Sequence, residues 1–295
     1  MSPKIDYRIT TKERVYFYIR LFFSLPMYIL ITAGIYMSFK TANPQMASLY
    51  VLYFYLGAIL IYLFFRLGVL IGYLKGNAIK LSKDQFPDIY KVAQLQAEQL
   101  GLKSVPSIYI LQSGGMLNAF AARFMGSNYV VLYSEIVEAA YQQDRAMLEF
   151  IIGHELGHIK RRHMQKNLLL MPSFLIPFLG AAYSRACEYT CDNIGHALCP
   201  SGVQSGLLVL ASGKTIYRKV NLKAYLRQDT SEDGFWKWFA EKVSTHPNLT
   251  KRLAVFTDVR KLNTGKSRLQ IIEETVTEAP VEEKKEDDYS RYMPQ

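Results

Sequence analysis

The chain has 295 residues, a formal net charge of +10 and 3 cysteines, enough for one domain of ordinary size plus additions. Its basic residues lack the dispersed basic–aromatic pattern of a nucleic-acid surface, and anionic lipid headgroups facing juxtamembrane Lys and Arg account for the charge better. An odd number of cysteines suits a reducing compartment rather than a disulfide scaffold.

Residues 15–39 are apolar over a length that crosses a bilayer, with Arg20 near the start and Pro26 inside. A second such stretch lies within residues 46–74 and contains Arg66, expected either to snorkel to the interface or to meet the domain that comes after it. Residues 40–45 read as the turn between them, so residues 1–75 predict a transmembrane helical hairpin. A signal peptide is disfavoured by the length and by the lack of a small-residue cleavage site; Asp6 and Glu13 break the pattern of a mitochondrial transit peptide. Lys4, Arg8, Lys12, Arg14 and Arg20 precede or open the first span, the turn has only Lys40, and Lys75 and Lys80 come after the second. The positive-inside rule then puts the N-terminus and the domain beyond the hairpin in the cytoplasm.

Helical spacing covers residues 87–100, with Pro87 in the first turn and Gly101 as the cap. Residues 107–111 read as a strand, and residues 116–125 and 129–133, around Gly126-Ser127-Asn128, as a β-hairpin. From Asp144 as N-cap, helical spacing runs through Met147, Leu148, Ile151 and Ile152 into the pentad HELGH at residues 154–158. Positions i and i+4 share a helix face, so His154 and His158 can reach one metal ion, with the Glu155 carboxylate beside it. This is the pattern of zinc-dependent hydrolases, in which the metal lowers the pKa of water to about 7. His163, five residues on, is expected to point away from that face, within a basic run facing solvent or headgroups.

A third apolar stretch, residues 168–183, holds Pro172 and Pro177 and is too short to cross the membrane and return. It is expected to dip into the interface or to cover the site. Glu188, in SRACEYTCD at residues 184–192, offers a third ligand, and a His2Glu set leaves one position for water. Asp192, one turn on, can accept the free N–H of a ligating histidine; an ordinary helix with an exposed Glu and Asp satisfies the same spacing. Cys187, Cys191 and Cys199 read as reduced, partly buried thiols and His196 as structural. Residues 206–217 and 249–262 are further helices, the latter after Asn248. Residues 264–295 read as a charged, disordered tail. The fold class is α+β, a small sheet packed on the HELGH helix, within a domain of residues 76–263.

Four short motifs stand in order: Asn118-Ala119-Phe120-Ala121, HELGH, SRACEYTCD, and Thr245-His246-Pro247 with Arg252 shortly after. Together they resemble metallopeptidase family 48, the HtpX-like membrane proteases and CAAX prenyl proteases, over roughly residues 80–260. The resemblance implies a zincin-like domain and one Zn2+ per chain on His154, His158 and Glu188, with Glu155 as general base. Asp192 and Arg252 would lie behind the ligands. Asn118, Ala119, Phe120 and His246 would line the substrate cleft, His246 stabilising the oxyanion with help from Arg252. Where the family carries small residues near the third ligand, this chain has Cys187 and Cys191. Strand 118–121, if at a sheet edge, could pair with an extended peptide.

The resulting expectation is a multi-pass, integral-membrane zinc endopeptidase with its active site on the cytoplasmic side. Its partners would be the lipid bilayer and protein or peptide substrates, with no nucleic acid. The two-span anchor resembles the quality-control branch, which implies misfolded or damaged membrane proteins as substrates. A non-catalytic zinc-binding membrane adaptor is the alternative, though it has no need of Glu155. An exported protease behind an uncleaved anchor is a third reading, against which the charge asymmetry argues.

Overall fold

The computed structural model describes residues 5–40, 47–112, 114 and 118–257. The chain is mostly helical with one small mixed sheet and begins with two long apolar helices, α1 (Thr11–Lys40) and α2 (Ala47–Asn77). Both are long and apolar enough to cross a membrane, and only 11% and 6% of their apolar windows are buried within the protein. They are therefore not core helices: Phe22, Leu30, Phe54 and Val69 all face outward. The expected turn after Lys40 lies outside the described residues. Arg66 is exposed rather than packed on the rest of the chain. Arg20 is fully buried, donating to Ser173 Oγ at 2.8 Å, Asn167 Oδ1 at 2.8 Å and the Leu170 carbonyl at 2.9 Å.

The sheet contains β1 (Ile79–Lys80), β2 (Ser107–Leu111), β3 (Ala119–Phe124) and β4 (Ser127–Tyr133), in the order β1-β2-β4-β3. β2 and β4 are parallel, and the outer pairs antiparallel. Side chains alternate between faces along each strand, and both faces are used. Ile108, Ile110, Val130 and Leu132 enter the main core. Tyr109, Ala122, Tyr129 and Val131 pack on Ile71 and Leu74 at the end of α2. The hairpin forms where expected, but its turn is Met125-Gly126, both at positive φ (46° and 84°), and Ser127 and Asn128 already pair with Phe124 and Arg123. Two successive residues at positive φ make the primed turn whose twist suits a hairpin.

The remaining helices, in chain order, are α3 (Pro87–Gln99), α4 (Ser134–Gln142), α5 (Arg145–Lys160), α6 (His163–Leu169), α7 (Leu179–Leu198), α8 (Val203–Ser212), α9 (Leu222–Ser231), α10 (Phe235–Val243) and α11 (Leu249–Phe256). Gly101, at φ 61°, closes α3 as expected. α8 is shorter than the apolar pattern implied, because Gly213 at φ 87° caps it. α4, α9 and α10 were not apparent from periodicity. The chain beyond residue 257, including the tail, lies outside the described residues. Residues 168–183 are not one continuous helix. They form the end of α6, a short 3-10 turn at Met171–Leu175 and the start of α7.

α5 is the central element, buried on nearly every side and packed along α7. The two helices approach closely because glycines line the contact. A Cβ on Gly153 would lie 3.2 Å from the Gly195 Cα, and one on Gly157 would lie 3.4 Å from the Cys191 Cα. At Gly195 a methyl would sit 2.8 Å from the Phe150 ring and 2.9 Å from its carbonyl oxygen. Backbone on one side leaves little room to yield. Gly195→Ala should therefore destabilise the protein by about 1–3 kcal/mol, seen as a lowered thermal midpoint in detergent. Gly72→Ala, with nothing near its added methyl, should leave the midpoint within error.

Candidate metal centre

Asp144, in extended backbone, accepts from the Ala146 N–H at 3.0 Å and starts α5. That helix carries His154 and His158 to one point, their Nε2 atoms 3.3 Å apart. Glu188 arrives from α7, with Oε2 3.5 Å from His154 Nε2 and Oε1 3.3 Å from His158 Nε2. Donor atoms of all three lie within 4.8 Å of one another.

Behind them stands a second layer. His154 Nδ1–H donates to Asp192 Oδ1 at 2.9 Å, which fixes a ring proton on Nδ1 and turns Nε2 toward the centre. Arg252, from α11, donates from Nε and Nη2 to the two Asp192 oxygens at 2.8 and 2.6 Å. Its Nη1 is 3.4 Å from Glu188 Oε2. Burial disfavours a charged His154, yet the hydrogen bond to Asp192 and the Glu188 carboxylate outweigh it and push the pKa up to about 10. Burial also works against ionised Glu188 and Asp192. The histidines around the first, and Arg252 and His154 around the second, nonetheless hold both carboxyls below the usual range. Two imidazole nitrogens and an ionised carboxylate aimed at one point call for a cation, and that donor set fits zinc.

The centre opens on a cavity of about 150 Å³, lined by His158, Asn167, Glu188, Thr245 and His246 among others. His246 Nε2 is 3.7 Å from Glu188 Oε1, with its side chain 65% exposed. The loop carrying it is pinned by Arg185 of α7, whose Nη1 donates to the carbonyls of Glu241, Lys242 and Ser244 at 2.7, 2.9 and 2.7 Å. Glu155 is buried on α5 beside His154. β3, an edge strand, packs beside α5. Asn118 stands exposed at its start, its side-chain oxygen accepting from the Ala119 N–H at 2.9 Å, while Ala119 and Phe120 are half-buried.

The model of peptidase family M48 matches residues 83–179 and 170–259, more than half of the chain. The chain belongs to peptidase family M48. Membership suggests a zinc-dependent protease, and the two apolar helices fit a membrane protein. The chain is 28% identical over 177 residues to the plastoglobule-localized metallopeptidase 48, chloroplastic, of Arabidopsis thaliana, covering 54% of this chain and 50% of that protein. It thus spans about half the length of that curated relative. It is also similar to the crystal structure of S. mikatae Ste24p, with a TM-score of 0.47 and 15% identity over 85% of this chain and 67% of that one.

Within this M48 peptidase, His154, His158, Glu188, Asp192 and Arg252 come together. Arg252 is buried, with its guanidinium turned to Asp192 and Glu188. His196 stacks on Phe256 at 5.1 Å, and Cys187, Cys191 and Cys199 are buried free thiols, as expected. Burial raises the Cys187 and Cys191 thiols well above their ordinary range.

His163 departs from expectation. It is 3% exposed, and its Nδ1 lies 3.1 Å from His158 Nδ1. The expectation assumed one continuous helix, whereas α5 ends at Lys160 and Arg162, at φ 56°, turns the chain back. Arg185 and Glu13 were likewise not foreseen from the sequence. Glu13, an acid at the start of an apolar span, was the one available signal.

Asp192→Asn keeps an acceptor for His154 but removes the charge. It should weaken zinc binding about tenfold, measured by chelator competition on the purified protein.

Proposed function

We propose that this M48 peptidase is an integral-membrane zinc endopeptidase in which His154, His158 and Glu188 hold one Zn2+. The convergence of those donors within 4.8 Å, at a cavity lined by His158, Glu188 and His246, is the observation that carries the reading. Zinc bound there supplies Lewis acidity to the scissile carbonyl and makes water more acidic. Glu155 accepts a proton from the attacking water and passes it to the leaving amine nitrogen. His246, exposed at the cavity, donates from a ring N–H to the carbonyl oxygen as that oxygen gains charge. An extended substrate lies along β3 from Asn118 through Ala119 and Phe120. Main-chain pairing there is largely indifferent to side-chain identity. Such indifference suits misfolded or damaged membrane proteins as substrates.

In this reading α1 and α2 form the transmembrane hairpin of a zincin-like domain facing the cytoplasm. Residues 168–183 lie at the bilayer surface. Leu168, Leu169, Phe174, Leu175 and Phe178 are all exposed, and Arg20 and Tyr28 of α1 bond to this same segment. Exposed apolar side chains grouped against a membrane helix favour lipid over water.

Glu155→Gln should retain full zinc while casein cleavage falls by at least about a hundredfold; cleavage at the normal rate rules out the mechanism. Single cysteines placed across residues 168–183 in liposomes should show labelling intermediate between water-exposed and bilayer-buried controls. Full aqueous labelling would remove the interfacial assignment.

A further inference from the structure

His154 has Asp192 to hold its outer nitrogen; among the described residues no carboxylate bonds to that of His158. A ligating histidine ordinarily donates its second N–H to a fixed acceptor. The nitrogen opposite His158 Nδ1 is His163 Nδ1, at 3.1 Å. His163 Nε2 in turn faces Glu13 Oε1 at 3.4 Å. We propose that Glu13, on the first turn of α1, and His163 are positioning residues that hold His158 in the tautomer presenting Nε2 to the metal. This rests on the reading of His158 as a ligand.

Proton counting sets the order of the relay. His158 Nε2 faces Glu188 and His154, so as a ligand it carries a lone pair and its proton sits on Nδ1. His163 Nδ1 is then the acceptor, and its own proton sits on Nε2, toward Glu13. A carboxylate at that end favours this tautomer over the reverse. Cys191 Sγ, 3.7 Å from His163 Nδ1, is at most a weak donor and leaves the assignment unchanged.

Burial raises the stakes, because a misplaced proton cannot be repaired by water. Glu13 is 1% exposed and His163 3%. Glu13 Oε2 and His163 Nε2 are both buried without a well-aligned hydrogen-bond partner, and the carboxylate of Glu13 already lies 3.4 Å from that nitrogen through Oε1. Arg161 Nη2 at 2.8 Å and Lys166 Nζ at 3.5 Å hold Glu13 in place.

The same cluster superficially resembles a second metal site, since donor atoms of Glu13, His163 and Cys187 also lie within 4.8 Å of one another. Charge argues against it. Arg161 and Lys166 already balance Glu13, and a dication there would sit among cations, next to the metal proposed on His158.

α1 is well fastened for such a role. The Asn193 side-chain amide donates to the Arg8 carbonyl at 3.0 Å, and the Thr10 N–H donates to Thr190 Oγ1 at 3.1 Å. Thr190 and Asn193 flank Asp192 on α7. The first turn of the membrane helix and the metal ligands are therefore parts of one assembly.

The test uses the full chain in detergent, with zinc affinity from chelator competition, metal stoichiometry, and the visible spectrum of the cobalt-substituted protein. His163→Ala should weaken zinc binding about tenfold to a hundredfold and shift the cobalt bands. His163→Asn, whose side-chain oxygen can accept from His158 Nδ1–H, should recover most of both. Glu13→Gln should give a smaller loss of about threefold to tenfold with the same direction of spectral shift. Thermal midpoints identify any variant that has unfolded. His158→Ala is the control for the underlying reading: if it leaves zinc affinity intact, the ligand assignment itself is wrong. If it loses metal while His163→Ala keeps wild-type affinity and spectrum, the relay alone is refuted. Two zinc ions per wild-type chain, one of them lost in His163→Ala, would make the cluster a metal site and overturn the relay.

Discussion

The close passage of α5 against α7 is the constraint on which the rest of the structure depends. A glutamate side chain is short, and Glu188 meets His154 and His158 only if the helix backbones nearly touch. Gly153, Gly157 and Gly195 make that possible, because a Cβ at any of them would press on the opposing helix or on Phe150. The cost is conformational, since glycine in a helix interior is less favourable than alanine by roughly 1 kcal/mol. Burial of α5 on nearly all sides offsets it. Loosely packed helices would leave three polar side chains in an apolar core with nothing to satisfy them.

That burial also explains the layered polar network. Ionised groups this deep are tolerable only as a fully partnered set. His154 is bonded by Asp192, and Asp192 is held by Nε and Nη2 of Arg252, whose Nη1 lies against Glu188. Arg252 comes from α11, some 60 residues beyond Asp192 in the chain. One late helix therefore closes the network that two earlier helices open. On the opposite side Glu13, Arg161, His163 and Lys166 form a comparable cluster that joins the first apolar helix to the domain.

The sheet has a simpler part. Its two faces are both apolar, one turned to α5 and the other to the end of α2. This joins the second apolar helix to the domain just as Glu13 and Arg20 join the first. β3 remains at the edge, beside the helix that carries the histidines.

Much was legible in the residues alone, and for local reasons. An i, i+4 pair of histidines shares a face in any helix, so the HELGH pentad pointed to a metal without knowledge of the fold. The N-cap at Asp144, the glycine cap at residue 101 and the two long apolar spans likewise depend on near neighbours. Other features were decided only when distant segments met. Spacing left Glu188 and Asp192 indistinguishable from a solvated helix face until α7 packed on α5. The burial of His163 came from a single left-handed residue, Arg162, that periodicity does not register. By sequence Glu13 only breaks a transit-peptide pattern, and it becomes the partner of three basic side chains because α1 docks on α7. Local sequence sets which way a side chain leaves its own backbone, whereas its partner is set by long-range packing, which no short window of residues contains.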